Sequence, residues 1–146
     1  MRIAVCVKYV PVLSQLRFDH ATRRLVRDGV RGEASSFDVR ALLGALRLRA
    51  AHGGEVSVLT MGPPAAHEAL TYCLALGADR GVHLCDVALV GSDTLATARA
   101  LAAVLRREPY ELVLLGRASV DAETGQVGPE IAELLDLPQA TAVRRL

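Results

Sequence analysis

The chain has 146 residues, a formal net charge of +1 and a hydrophobic fraction of 51%. That length suits one domain with a real core, and the near-neutral charge gives no field to draw in nucleic acid or anionic lipid. No apolar run reaches the ~18 residues that a membrane-crossing helix needs, so no direct membrane insertion is expected.

The mean hydropathy of +0.29 suits a sheet covered on both faces, whose strands are apolar throughout. The opening MRIAVCVKYV imitates a signal peptide weakly, with one basic residue and a short apolar run. It has no small-residue cleavage site and reads better as a first strand, IAVCV, followed by Lys8 and the breaker Pro11. Cytoplasmic residence is the matching expectation. Residues 16–30 carry short alternating pieces around a polar turn at 20–22 and read as a surface hairpin or excursion rather than core. Residues 38–51 place Leu42, Leu43, Leu46 and Leu48 among arginines, an amphipathic helix closed by Gly53 and Gly54. Ser35 and Ser36 are its candidate N-caps.

EVSVLTM at 55–61 is the second buried strand. Gly62, Pro63 and Pro64 open a helix that runs to Leu76 and stops at Gly77. GVHLCD at 81–86 is a third strand, and Ser92 or Asp93 caps the helix that follows. ELVLL at 111–115 is the fourth strand, residues 124–135 form the next helix, and another extended piece starts at Thr141. Strands alternating with helices of this length require right-handed crossovers. The expectation is one α/β domain over 1–146, a parallel sheet with helices on both faces.

Ligands of such sheets bind beyond the carboxyl ends of the strands, where the strand order reverses. Of the segments that follow strands, GRASVDAETGQVGP at 116–129 is the longest and most polar. It leaves a strand at a glycine, carries Asp121 and Glu123, and enters a helix through Thr124, Gly125, Gln126, Val127 and Gly128. Its glycines allow close backbone approach, and the unpaired amides at a helix start make a natural phosphate site. It is neither a P-loop nor the GxGxxG fingerprint, so a capped helix start without ligand is the competing reading. Arg117 offers either a phosphate partner or a surface charge.

The three cysteines, Cys6, Cys73 and Cys85, are widely spaced with no CxxC pair, against structural zinc and a disulfide framework. Cys73 and Cys85 read as small buried hydrophobes. His20 and His52 sit in polar surface stretches, His67 reads as exposed, and His83 as packed or at a sheet edge. No Ser-His-Asp, HExxH or paired-carboxylate pattern is present, so no catalytic or metal-binding residue is assigned.

Taken in order, IAVCVKYVP, the FD before the ALRL helix, VLTMGPPAAHEALTYCLALGADRGVHLCD, SDTLATARALA, LVLLG and VDAETGQVGPEIAELLDLPQATAV resemble the β subunit of electron transfer flavoproteins. The likeness covers essentially the whole chain. Its most specific part is the acidic cluster followed by Gln126, Gly128 and Leu137-Pro138-Gln139. The resemblance implies an adenine-nucleotide α-hydrolase-like (Rossmann-like) domain that is not an enzyme. It implies AMP in the sheet-end cleft, or FAD in some members, and an α subunit carrying the redox flavin. Adenine would meet Cys6 and the stretch Ser35, Ser36, Phe37 and Asp38, with Met61 lining the pocket. Gly116, Arg117, Ala118, Ser119, Val120, Asp121, Ala122 and Glu123 would wrap the nucleotide. The amides of Thr124, Gly125, Gln126 and Val127 would hold its phosphate.

Two departures qualify the likeness. Ser35-Ser36 stands where the family usually has Asn-Pro. Family members also continue past this signature, toward the α subunit's flavin domain, so these residues match a shortened form, the N-terminal nucleotide-binding portion. Homo-oligomerisation is the alternative partnership. The alternative function, a free-standing adenine-nucleotide sensor of the universal stress protein type, calls for a G-x2-G-x9-G-[ST] loop that this sequence lacks. An enzyme acting on an adenylated or phosphoryl substrate would have only Cys6 and Asp121 to work with.

Overall fold

The computed structural model describes residues 1–12, 14, 17–19, 24–26 and 30–144. Four strands, β1 (Arg2–Cys6), β6 (Glu55–Met61), β7 (Arg80–Leu84) and β8 (Leu112–Leu115), form a parallel sheet in the order β7-β6-β1-β8. The β-branched runs favour strands, and their period of two splits each strand between two cores. In β1, Ile3 and Val5, with Val7 just beyond, enter one core, while Ala4 and Cys6 enter the other. The first core is closed by α1 (Ser36–His52) and α2 (His67–Ala75), through Leu42, Ala45, Ala69, Leu70 and Cys73. The second is closed by α3 (Thr94–Leu105) and α4 (Val127–Leu135), through Ala98, Leu101, Leu105 and Ile131. Burying each such leucine or isoleucine is worth about 1.5–3 kcal/mol. The sheet covered on both faces is the architecture that the composition and element order predict.

The strand order fixes where a ligand can sit. The chain steps from β1 to β6 to β7 on one side, then returns to lay β8 against the other side of β1. The order therefore reverses between β1 and β8, whose last paired residues are Cys6 and Leu115. In open parallel sheets the chain leaves the two strands at such a point toward opposite faces, and the crevice between them is where ligands bind.

Two small antiparallel ladders lie outside this sheet. β3 (Arg17–Asp19) pairs with β4 (Arg24–Val26) as the expected hairpin, while the expected turn falls at 20–22, outside the described residues. The ladder between β2 (Tyr9–Pro11) and β5 (Gly32–Ala34) is a feature that local sequence does not announce. Its lock is the Tyr9 ring, which lies where a Cβ on Gly32 would come within 2.2 Å. The Gly32 amide donates to Tyr9 Oη at 3.0 Å.

Several boundaries differ from the sequence reading. The stretch after β6 begins as a 3-10 turn over Pro64–Ala66, and α2 starts only at His67. Asp93, rather than Ser92, caps α3, accepting the Ala96 amide at 2.8 Å, while Ser92 turns back to the Leu89 carbonyl. The segment from Thr141 to 144 is irregular rather than extended, with Ala142 in left-handed backbone (φ 55°). α4 starts at Val127 instead of Thr124, because Glu123 (φ 52°) and Gly125 (φ 64°) take left-handed backbone that no helix tolerates.

Candidate functional site

The residues that follow β1 and β8 are joined through the side chain of Asp38. Asp38, in the first turn of α1, accepts the Lys8 amide on Oδ2 at 2.9 Å and the Gly116 amide on Oδ1 at 2.8 Å. It therefore ties the residues just past the two diverging strands to the positive end of a 17-residue helix. The Ser35 amide adds a bond to the Lys8 carbonyl at 2.9 Å. Residue 116 must be glycine here, because a Cβ would fall 2.5 Å from Asp38 Oδ1 and 2.7 Å from the Phe37 carbonyl carbon. Only 6% of Asp38 is exposed. Burial pushes its carboxyl up to about 6, against the opposing pull of the two amides, the Ser35 hydroxyl and the Lys8 ammonium. Ser35 is the N-cap residue as expected, yet its fully buried Oγ caps no amide and reaches no partner in good geometry.

Lys8, the single lysine of the chain, also organises the loop after β8. Its ammonium meets Asp121 at 2.8 and 2.9 Å and Ser119 Oγ at 3.3 Å. Burial disfavours the Asp121 charge, but hydrogen bonds with Lys8 and Ser119 and the Lys8 charge outweigh it and hold the carboxyl below its usual range. Asp121 is thus engaged with Lys8. Arg117 is exposed and lies with its guanidinium 5.8 Å from the Phe37 ring centroid, as does Arg40. Ala118 is buried, Val120 half-buried and Ala122 exposed. The Glu123 amide closes a turn on the Ser119 carbonyl at 3.0 Å.

The amides of Thr124, Gly125 and Gln126 pair with no acceptor among the described residues. The Val127 and Gly128 amides follow as the first two of α4, with Pro129 third and the ladder beginning at Glu130. Five consecutive amides at a helix start thus meet no acceptor among the described residues, three of them in the loop and two in the helix. Thr94, opening α3, lies 3.0 Å from Glu130 Oε1 and 3.2 Å from Gln126 Oε1, which joins the two helix starts.

Cys6 and Met61 pack into the α3/α4 core, on the opposite side of the sheet from α1. The two halves of the expected adenine pocket therefore approach the strand ends from different faces. Cys6 is buried, and burial followed by the Asp38 charge pushes its thiol up to about 12, so it is no nucleophile. Cys73 is buried as expected; Cys85 is not, since it follows the end of edge strand β7 and is exposed. His52 and His67 are exposed, and His83 sits in β7 with Nε2 3.2 Å from the Gly62 carbonyl. His20 lies outside the described residues. Among the described residues there is no cluster of three His, Cys, Asp or Glu able to hold a metal, and no helix is long and apolar enough to cross a membrane. A separate groove of about 660 Å³ lies between β5, α1 and α2, lined by Arg31, Arg40, Glu68 and Tyr72.

Lys8 is a site residue to which the sequence reading gives no role beyond following the first strand. Its signal was available: a lone lysine directly after the first strand, in a chain that otherwise uses arginine.

Known proteins place these features in a lineage. Residues 22–146 match the electron transfer flavoprotein domain model. The chain is 44% identical over its full length to an electron transfer flavoprotein subunit beta from Thermoanaerobacterium thermosaccharolyticum, covering 56% of that protein. It is 46% identical to a protein FixA from Azorhizobium caulinodans, covering all of this chain and 54% of FixA. It is 43% identical over 98% of its length to a caffeyl-CoA reductase-Etf complex subunit CarD from Acetobacterium woodii, covering 55% of CarD. The chain spans about half the length of the curated relatives it matches. With the parallel sheet and reversed strand order already in place, the chain belongs to the electron transfer flavoprotein domain family, and its relatives lie on the family's β-subunit side.

Proposed function

We propose that the 146 residues act as one adenine-nucleotide-binding domain of an electron transfer flavoprotein β-type subunit. In this reading the crevice between β1 and β8 takes AMP or FAD, and the chain works in the cytoplasm beside an α subunit that carries the redox flavin. The observation that carries the reading is the run of amides from Thr124 to Gly128, which meet no acceptor among the described residues and follow the strand at which the order reverses. Such donors suit a phosphate, and Gly125 and Gly128 put no side chain in its way. Phosphate there leaves the adenine end to Cys6, Met61 and the stretch from Ser35 to Asp38, while Asp121 and Lys8 brace the loop. AMP would serve as a structural ligand, whereas FAD would supply an isoalloxazine able to carry electrons.

The test is to denature the purified protein, identify released nucleotides by mass spectrometry, and scan the native protein for flavin absorbance beforehand. AMP or FAD in stoichiometric amount is expected. If no nucleotide is released and neither AMP nor FAD raises the melting temperature, the assignment is wrong. Co-expression with a flavoprotein α subunit should give a stable heterodimer; recovery as a homo-oligomer alone would refute the partnership.

A further inference from the structure

We propose that Asp38 is a proton-operated latch on the crevice, holding Lys8 and Gly116 together when ionised and releasing Gly116 when protonated, while Lys8 keeps its hold on Asp121 farther along the loop. The binding consequence rests on the nucleotide reading above; the latch itself does not.

The geometry makes the bridge dependent on charge. Each carboxylate oxygen receives one amide, and these amides belong to residues just beyond the last pair of the β1–β8 ladder. A protonated carboxyl keeps one good acceptor and turns its other oxygen into a donor with little acceptor strength, so the hold on one amide weakens. The weaker hold is on Gly116. It follows β8, which among the described residues is paired on one side, whereas Lys8 follows β1, which is paired on both. The new O–H has a recipient beside it. Ser35 Oγ is wholly buried, sits close enough to influence the carboxyl, and has no hydrogen-bond partner in the present arrangement.

The groups facing Asp38 leave it free to titrate alone. From the β1 side it meets the Lys8 ammonium and the Cys6 thiol, and from α2 the Cys73 thiol. Burial pushes the two thiols to about 12 and about 11, so both stay neutral. The β8 side contributes only the Gly116 amide, and the sole titratable side chain of β6, Glu55, lies at its opposite end. Asp121 is engaged by Lys8, and Arg40 and Arg117 lie against Phe37. Asp38 itself, lifted to about 6 by burial, changes charge within the range a cell can reach.

The latch is tested without ligand by following the amide NMR signals of Lys8 and Gly116 against pH. Both should shift together with one midpoint near the Asp38 value, and neither should do so in Asp38→Asn. Lys8→Met, a change at an exposed side chain, tests the same point where Asp38→Asn fails to fold. Loss of the ammonium should move the midpoint upward. Independent movement of the two amides, or an unmoved midpoint in Lys8→Met, would overturn the latch.

Its coupling to the crevice is read with the 5′-phosphate monomethyl ester of adenosine, whose phosphate does not titrate near neutrality. Affinity should fall about tenfold from pH 7.5 to pH 5, as expected for loss of one charge-assisted hydrogen bond. Constant affinity across that range while the amides titrate would refute the coupling. Titrating amides with no binding of this probe at any pH would uphold the latch and count against the nucleotide reading instead.

Discussion

The amide of Gly116 donates to Asp38 Oδ1 at 2.8 Å across 78 residues of sequence. One short helix turn and one glycine thereby join the two strands between which the sheet order reverses. A methyl group at 116 would sit 2.5 Å from that oxygen and 2.7 Å from the Phe37 backbone. Gly116→Ala should therefore destabilise the fold by about 1–3 kcal/mol, the usual cost of overpacking. Urea denaturation monitored by circular dichroism checks this; an unchanged midpoint would mean that α1 retreats freely from β8.

Asp38 also sets a pH dependence with a definite sign. Its carboxyl titrates at about 6 in the folded chain against an ordinary 3.8, so the folded state holds the proton more tightly than the unfolded one. Its contribution is most favourable below the ordinary value, declines as pH rises between the two values, and levels off above the higher one. The full span is at most about 3 kcal/mol. Asp79, Asp121 and Glu108, all held below the usual carboxylate range, act in the opposite direction at lower pH. The group is therefore isolated by difference. Relative to Asp38→Asn, the native chain should gain stability as pH falls from about 7 to about 4.5. A difference that stays constant, or that shrinks toward acid, would contradict the burial of this carboxyl.

Gly125 is strained for any other residue by its φ of 64°, and a Cβ there would also press on the Arg117 carbonyl at 3.3 Å. Gly125→Val adds a β-branched side chain to left-handed backbone. The expected result is loss of the free-amide run and of retained nucleotide, with the sheet's circular dichroism unchanged. Nucleotide released per chain after denaturation is the measurement, and native-level retention would remove this loop from the site.

The thiols give an independent check on burial. Cys6 and Cys73 are buried with pKa values pushed to about 12 and about 11, whereas Cys85 is exposed. An aromatic disulfide reagent at about pH 8 should titrate one thiol in the folded protein and all three after denaturation. Two fast thiols in the native state would show that one of the cores opens readily.

Much of this architecture was legible in the chain itself. Apolar β-branched runs at IAVCV, EVSVLTM and LVLL, separated by helical patterns, determined a parallel sheet covered on both faces, since those periods bury no other way. The polar loop after the last of these strands stood out by its glycines and acids, and the family was readable from its motifs. Local pattern failed where a residue's environment comes from distant segments. Cys85 is as apolar as Cys73, but its strand ends at the sheet edge. Thr124 looks like a helix opener until the left-handed backbone at Gly125 delays the turn. Tertiary structure alone decided that Asp38, Lys8 and Gly116 converge, because strand order depends on which faces the crossover helices cover. It alone gave the single lysine an aspartate partner and a surface-type carboxyl a buried, proton-sensitive role, since burial and charge pairing exist only once distant segments pack.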